Sequence, residues 1–165
     1  GGVVRDLLLG NLPVIIILEP HYIIICLIFS IIAIFTQKHI NKFYKIFLIL
    51  DSIGLIAFAY IGSNIAYEIC TTIFEMHFFS TLVVGTVIAI VNGVSGGIMR
   101  DMICNDIPVA FKSELYASVA GIVGGLNIIF IYSHVNLYIG AAILIGVGLS
   151  IRIMAILYKW KLPTV

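Results

Sequence analysis

Charge is what this sequence has least of. Of its 165 residues, nine are Lys or Arg and eight are Asp or Glu, 10% in all, against 62% hydrophobic residues and a mean hydropathy of +1.20. A soluble domain carries about 25% charged residues, so too little polar side chain is present to cover a surface facing water. A bilayer removes that need, and the composition is that of an all-α integral membrane protein crossing several times. The net charge of +1 comes without a basic cluster, which excludes a nucleic-acid partner bound through its phosphates. Cysteine is scarce and odd in number. Cys26, Cys70 and Cys104 lie far apart in apolar surroundings and read as small buried hydrophobes. His21, His39, His77 and His134 show no metal-ligand spacing and fall near the ends of apolar runs, where they serve as interfacial polar residues. No metal and no cofactor is expected. No nucleophile elbow, HExxH, P-loop or Cys/His cluster is present either, so the chain does not read as an enzyme.

What is abundant is long apolar sequence. Residues 22–36 form a short candidate span, and 46–67, 78–99, 115–132 and 137–158 form four more, near the ~20 residues that cross a ~30 Å hydrocarbon core. The opening residues 1–9 read as half of another helix, ended by Gly10-Asn11-Leu12-Pro13. Eight of the nine basic residues (Lys38, Lys42, Lys45, Arg100, Lys112, Arg152, Lys159, Lys161) fall on one side if the spans alternate. The other side receives Arg5 with Glu19, Glu68 and Glu75. The positive-inside rule makes the basic side, and with it the C-terminus, cytoplasmic. Tyr22, Tyr44, Tyr67, Tyr158 and Trp160 near span ends suit an interfacial aromatic belt, and Arg152 reads as an arginine snorkelling to the interface.

An internal repeat is visible by eye. Gly1-Gly2-Val3-Val4-Arg5-Asp6 recurs as Gly96-Gly97-Ile98-Met99-Arg100-Asp101, and at the same offset of 95 Pro13 matches Pro108, Val14 matches Val109 and Glu19 matches Glu114. The unit is three helices: a leading helix, a Gly-Gly helix and a trailing helix. An odd number of crossings inverts the second copy relative to the first, an architecture recurrent in transport proteins. The expected division is 1–45 for the remainder of the first repeat, 46–133 for the second, and 134–165 for a final helix and cytoplasmic tail. The first repeat lacks a leading helix and half of its Gly-Gly helix, so roughly 40 further residues are expected before Gly1 (from helix rise).

A Gly pair inside a membrane helix eases departure from helical geometry and bares the backbone. Arg and Asp just beyond it must pair or face a polar passage. Two inverted copies bring such elements together near the midplane, where transport sites are built. The alternative is that the glycines serve packing and that each Arg-Asp anchors a helix end. Asp51, one to two turns inside a span, can snorkel towards Lys45 or pair with Arg100. Gly121, Gly124 and Gly125 form a small-residue face suited to helix packing or subunit contact, and Gly140, Gly146 and Gly148 thin the last helix.

These stretches resemble a known family. Residues 1–10, 47–55 (FLILDSIGL), 96–104 (GGIMRDMIC) and 107–117 (IPVAFKSELYA) are similar to the bacterial membrane family with a duplicated glycine-transporter domain, homologous to the TRIC (trimeric intracellular cation) channels. The resemblance implies seven helices, as two inverted three-helix repeats plus a final helix, assembled as a homotrimer with one hourglass pore per subunit. It implies kinks at Gly1-Gly2 and at Gly93 and Gly96-Gly97, with Ser95 standing where the family's Gly triplet has its third glycine. Arg5, Asp6, Asp51, Arg100 and Asp101 are then the pore charges. The implied function is a K+ channel of the bacterial inner membrane, with K+ or Na+ as the permeant ion. A secondary carrier of glycine or another small solute is the runner-up, and a scaffold without transport is weaker because it leaves the inward-facing charges unexplained.

The charge asymmetry makes a direct prediction. A reporter fused to the C-terminus is active as a cytoplasmic reporter, and activity confined to the outside of the cytoplasm would reverse the assignment.

Overall fold

The computed structural model describes residues 1–40, 44–112 and 115–158, with the backbone alone for 33–40, 44–45 and 112. Lys42, Glu114, Lys159, Trp160, Lys161 and the side chains of Lys38, His39, Tyr44, Lys45 and Lys112 therefore lie outside what is described. Eight helices follow in order: α1 (Gly2–Leu9), α2 (Ile15–Leu18), α3 (His21–Ile40), α4 (Tyr44–Thr72), α5 (Phe78–Ile103), α6 (Val109–Lys112), α7 (Leu115–Tyr132) and α8 (Leu137–Tyr158). Among the described residues, α4, α5, α7 and α8 are long and apolar enough to cross a membrane. The protein is an all-α membrane protein, as its composition requires. The 20-residue α3 extends the short candidate span of the sequence by a turn at its end.

The apolar periodicity of a soluble helix is missing because lipid and protein interior are equally apolar. What distinguishes the inward faces is residue size. The core is Leu55, Ile56 and Ala59 of α4, Ala89 and Val94 of α5, Tyr116, Val119, Ala120 and Val123 of α7, and Leu144 of α8. Large side chains such as Phe79 and Ile103 point outward instead, where lipid accepts them. Small residues let the backbones close. A Cβ on Gly124 would lie 2.2 Å from the Ala89 Cβ, and Gly121 and Gly125 meet Ile90 and Thr86 of the same α5. These three glycines pack helices within the chain. Gly148 does the same for α8 against Ile56 and Val123, while Gly146 faces open space.

Polar groups bind the helices where apolar packing cannot discriminate. Asn92 Nδ2 donates to the Phe58 carbonyl at 2.7 Å, joining α5 to α4. Asn127 Nδ2 donates to Ser63 Oγ and Asn64 Oδ1 at 2.9 and 3.0 Å, joining α7 to α4. Of the cysteines, Cys70 is buried, but Cys26 and Cys104 are exposed. A thiol is apolar enough to need no protein cover, so composition did not reveal which of the three are internal.

The repeat extends into the backbone. Gly10 ends α1 at φ 67°, and Asn105, at the same offset of 95, sits at φ 58° after α5. Asn11 N–H donates to the Asp6 carbonyl at 2.8 Å, and Asp106 N–H to the Asp101 carbonyl at 2.9 Å. Both copies thus turn out of their helix in the same left-handed step, which Gly and Asn tolerate best. Two long helices, α3 and α4, separate α1 from α5 along the chain.

Packing at Gly124 generates a prediction. Gly124→Ala overfills the α5–α7 contact and costs about 1–3 kcal/mol, read as a lower Tm of the purified protein in detergent. Gly146→Ala, in open space within the helix, does not lower Tm.

Candidate functional site

The Arg-Asp pairs are built alike. Arg5 donates from Nε and Nη2 to Asp6 Oδ1 at 2.8 and 2.7 Å, and Arg100 donates from Nε to Asp101 Oδ1 at 2.8 Å. In each copy the second carboxylate oxygen takes a backbone N–H at the start of the short helix after the proline. Asp6 Oδ2 accepts from Ile15 at 3.3 Å, and Asp101 Oδ2 accepts from Val109 at 2.9 Å. Each aspartate therefore neutralises its own arginine and caps the next helix, which satisfies charge and orphan backbone donor with one group. Arg5 and Asp6 are buried, at 4% and 0% exposure.

The second copy carries more. Arg100 Nη1 also donates to Asp51 Oδ1 of α4 at 2.5 Å, and its guanidinium lies 4.8 Å from the Phe47 ring. This decides between the two partners open to Asp51: it pairs with Arg100. The second oxygen of Asp51 accepts from the Tyr116 hydroxyl at 2.7 Å. Over the Tyr116 ring, at 4.8 Å, sits the Arg152 guanidinium, whose Nε donates to Ser52 Oγ at 3.2 Å. Arg152 is 1% exposed. The expectation of an interfacial snorkel is thus overturned. Arg152 lies within reach of the helix end, but α8 turns it onto α4 and α7, where an aromatic face and a hydroxyl replace water.

A cavity of about 430 Å³ opens beside this cluster. Its walls hold Gly1 and Gly2 of α1, Gly54 of α4, and Gly93, Gly96 and Gly97 of α5. Asp51, Asn92, Arg100 and Tyr116 supply the polar groups, with Phe47, Leu50, Leu55 and Phe58 as the apolar remainder. The two Gly-Gly elements meet here. A Cβ on Gly1 would fall 2.2 Å from the Asn92 carbonyl oxygen, and one on Gly93 would fall 3.0 Å from the Leu55 carbonyl oxygen. α5 stays α-helical through Gly93, Gly96 and Gly97 to Ile103, so the three glycines do not end the helix. The missing Cβ atoms instead admit neighbouring backbone and side chains. Three buried polar atoms, Asn92 Oδ1, Ser95 Oγ and Arg100 Nη2, have no hydrogen-bond partner among the described residues, and Asn92 and Arg100 line the cavity.

Of the five charges named from sequence, Asp51 and Arg100 line the cavity. Asp101 is linked to it through Arg100, while Arg5 and Asp6 form a separate buried pair. Sequence reasoning missed Asn92, Tyr116 and the true place of Arg152. The available signal was polarity within apolar runs, which marks such residues without saying which way they face.

A family model described as glycine transporter matches residues 1–38 and 48–133. The chain belongs to this family. The family's UPF0126 inner membrane protein YadS of Escherichia coli K12 is 30% identical over 167 residues, 99% of this chain and 76% of that protein. In structure the family member superimposes on a TRIC cation channel with a TM-score of 0.80 and 27% identity, covering 99% of this chain and 76% of the other. The TRIC trimeric intracellular cation channel orthologue from Rhodobacter sphaeroides shares the fold at a TM-score of 0.80 and 23% identity, covering 96% of this chain and 77% of that one. Family and neighbours are membrane channels and transporters, not enzymes.

The two aspartates predict unequal costs. Asp6→Asn keeps an acceptor for Ile15 N–H but takes from Arg5 the carboxylate it donates to twice, at about 3 kcal/mol. Asp101→Asn costs clearly less, because Arg100 keeps Asp51. Thermal unfolding in detergent measures both, and equal losses would contradict the argument.

Proposed function

We propose that the chain is the subunit of a passive monovalent-cation channel, with K+ as the main permeant ion and the cavity at the meeting of the two Gly-Gly elements as part of the conduction path. The observation that carries the reading is this cavity, with Asp51 on its wall, in a chain whose whole length superimposes on a TRIC cation channel. Glycines keep the passage open by omission of side chains. Asp51 presents negative charge to it, and Arg100, held by two carboxylates, has its repulsion of cations cancelled locally. Asn92 lines the same passage and adds an amide to its polar wall. The reading includes a homotrimer with one path per subunit, as in the trimeric neighbour. It also includes residence in a bacterial inner membrane, as for the Escherichia coli relative, with the C-terminus in the cytoplasm. A small-solute carrier is the second reading. It is favoured by the family's description and by unpartnered donor and acceptor atoms around one cavity.

Purified full-length protein, confirmed as a trimer by a cross-linking ladder, is placed in planar bilayers. Unitary K+ currents that lose cation preference on Asp51→Asn support the channel. Saturable, stoichiometric glycine uptake without unitary currents overturns it in favour of the carrier.

A further inference from the structure

One buried chain of contacts reaches the cavity wall from a helix outside both repeats. Arg152 of α8 covers the Tyr116 ring, and Tyr116 donates to Asp51. Arg152 is not among the residues lining the cavity, and Tyr116 is 2% exposed. At the offset of 95, His21 stands in the place of Tyr116.

We propose that Tyr116 and Arg152 are positioning residues for Asp51, through which the last helix sets the cation preference of the cavity. This rests on the channel reading given above. Asp51 has two oxygens, and the way they are shared decides how much of its charge the cavity feels. Arg100 offers a planar fork able to take both oxygens of a carboxylate. Tyr116 withholds Oδ2, so that Arg100 engages Asp51 by Nη1 alone and gives its Nε to Asp101. Without the hydroxyl, Asp51 closes on Arg100 as a bidentate pair and its charge is cancelled against the guanidinium. Arg152 fixes the ring that carries the hydroxyl, and Ser52 fixes Arg152. The glycine motif belongs to the same device. A Cβ on Gly97 would lie 3.1 Å from the Tyr116 hydroxyl oxygen, tighter than ordinary contact, so the second Gly-Gly pair leaves the space in which that hydroxyl reaches Asp51.

Positioning and direct field effects differ in sign at Arg152. Removing a positive charge near a cation path raises cation preference if the charge acts by its own field, and lowers it if the charge acts by holding Tyr116. The experiment measures reversal potentials of the full-length protein in planar bilayers under a KCl gradient. Tyr116→Phe lowers the K+ over Cl− permeability ratio about threefold, the scale of one hydrogen bond to a charged group shared out among competing donors. Arg152→Gln lowers it too, and adds nothing in the Tyr116→Phe background. A rise on Arg152→Gln overturns the proposal, as does an unchanged ratio in Tyr116→Phe beside a changed one in Asp51→Asn. An unchanged ratio in Asp51→Asn overturns the channel reading of the cavity and the relay with it. A second measurement needs no current. Gly97→Ala lowers Tm in the otherwise native protein and by less than half as much in the Tyr116→Phe background, where the crowding oxygen is gone. Equal shifts in both backgrounds overturn the proposed positioning.

Discussion

An arginine in hydrocarbon has to bring its own counter-charge, and in both copies of the repeat the counter-charge is the next residue in the chain. Arg5 and Arg100 each donate to the aspartate that follows them, and each aspartate spends its other oxygen on the first turn of the helix beyond. That double duty is the constraint on which the rest of the structure depends. It ends the Gly-Gly helix and seats the short helix after the proline, because every backbone donor at this depth must find a protein partner. The polar residues are then committed to local service, which leaves the packing of the spans to glycine, alanine and a few amides.

The two copies share this device but do not share a surrounding. Around Arg5, among the described residues, the partner is the carboxylate of Asp6 beside it. Around Arg100 the guanidinium is divided between Asp101 and Asp51, and Asp51 is divided in turn between Arg100 and Tyr116. Divided partners are easier to rearrange than exclusive ones, so the second copy is where a small change in one helix can reach the cavity. The last helix, which has no mate in the repeat, is the one that touches this shared group through Arg152.

The glycines carry two roles that composition does not separate. Gly121, Gly124 and Gly125 close α7 onto α5, and the result is an ordinary close helix contact. Gly1, Gly93, Gly96 and Gly97 line the cavity as well, and there the absent side chain leaves room for carbonyl oxygens and a tyrosine hydroxyl. The helix containing three of them continues unbroken, and what the glycines contribute there is missing volume.

By itself the sequence determined the medium, the number and order of the apolar helices and the duplication. These follow from hydropathy, from the length needed to cross a bilayer and from a register of Gly, Arg, Asp, Pro and Glu, all properties of residues taken in order along the chain. It also singled out Asp51 and Arg100, because a charge within an apolar run is conspicuous wherever it faces. Facing is what tertiary structure decided. Whether Arg152 reaches water or an aromatic ring, whether Gly97 bends a helix or makes room for a hydroxyl, and whether Cys26 is covered depend on rotation about helix axes. Those rotations are set by helices that meet from distant parts of the chain. In a helix apolar on every side, no periodicity records that rotation, so the orientation of each polar group became legible only when its neighbours were in place.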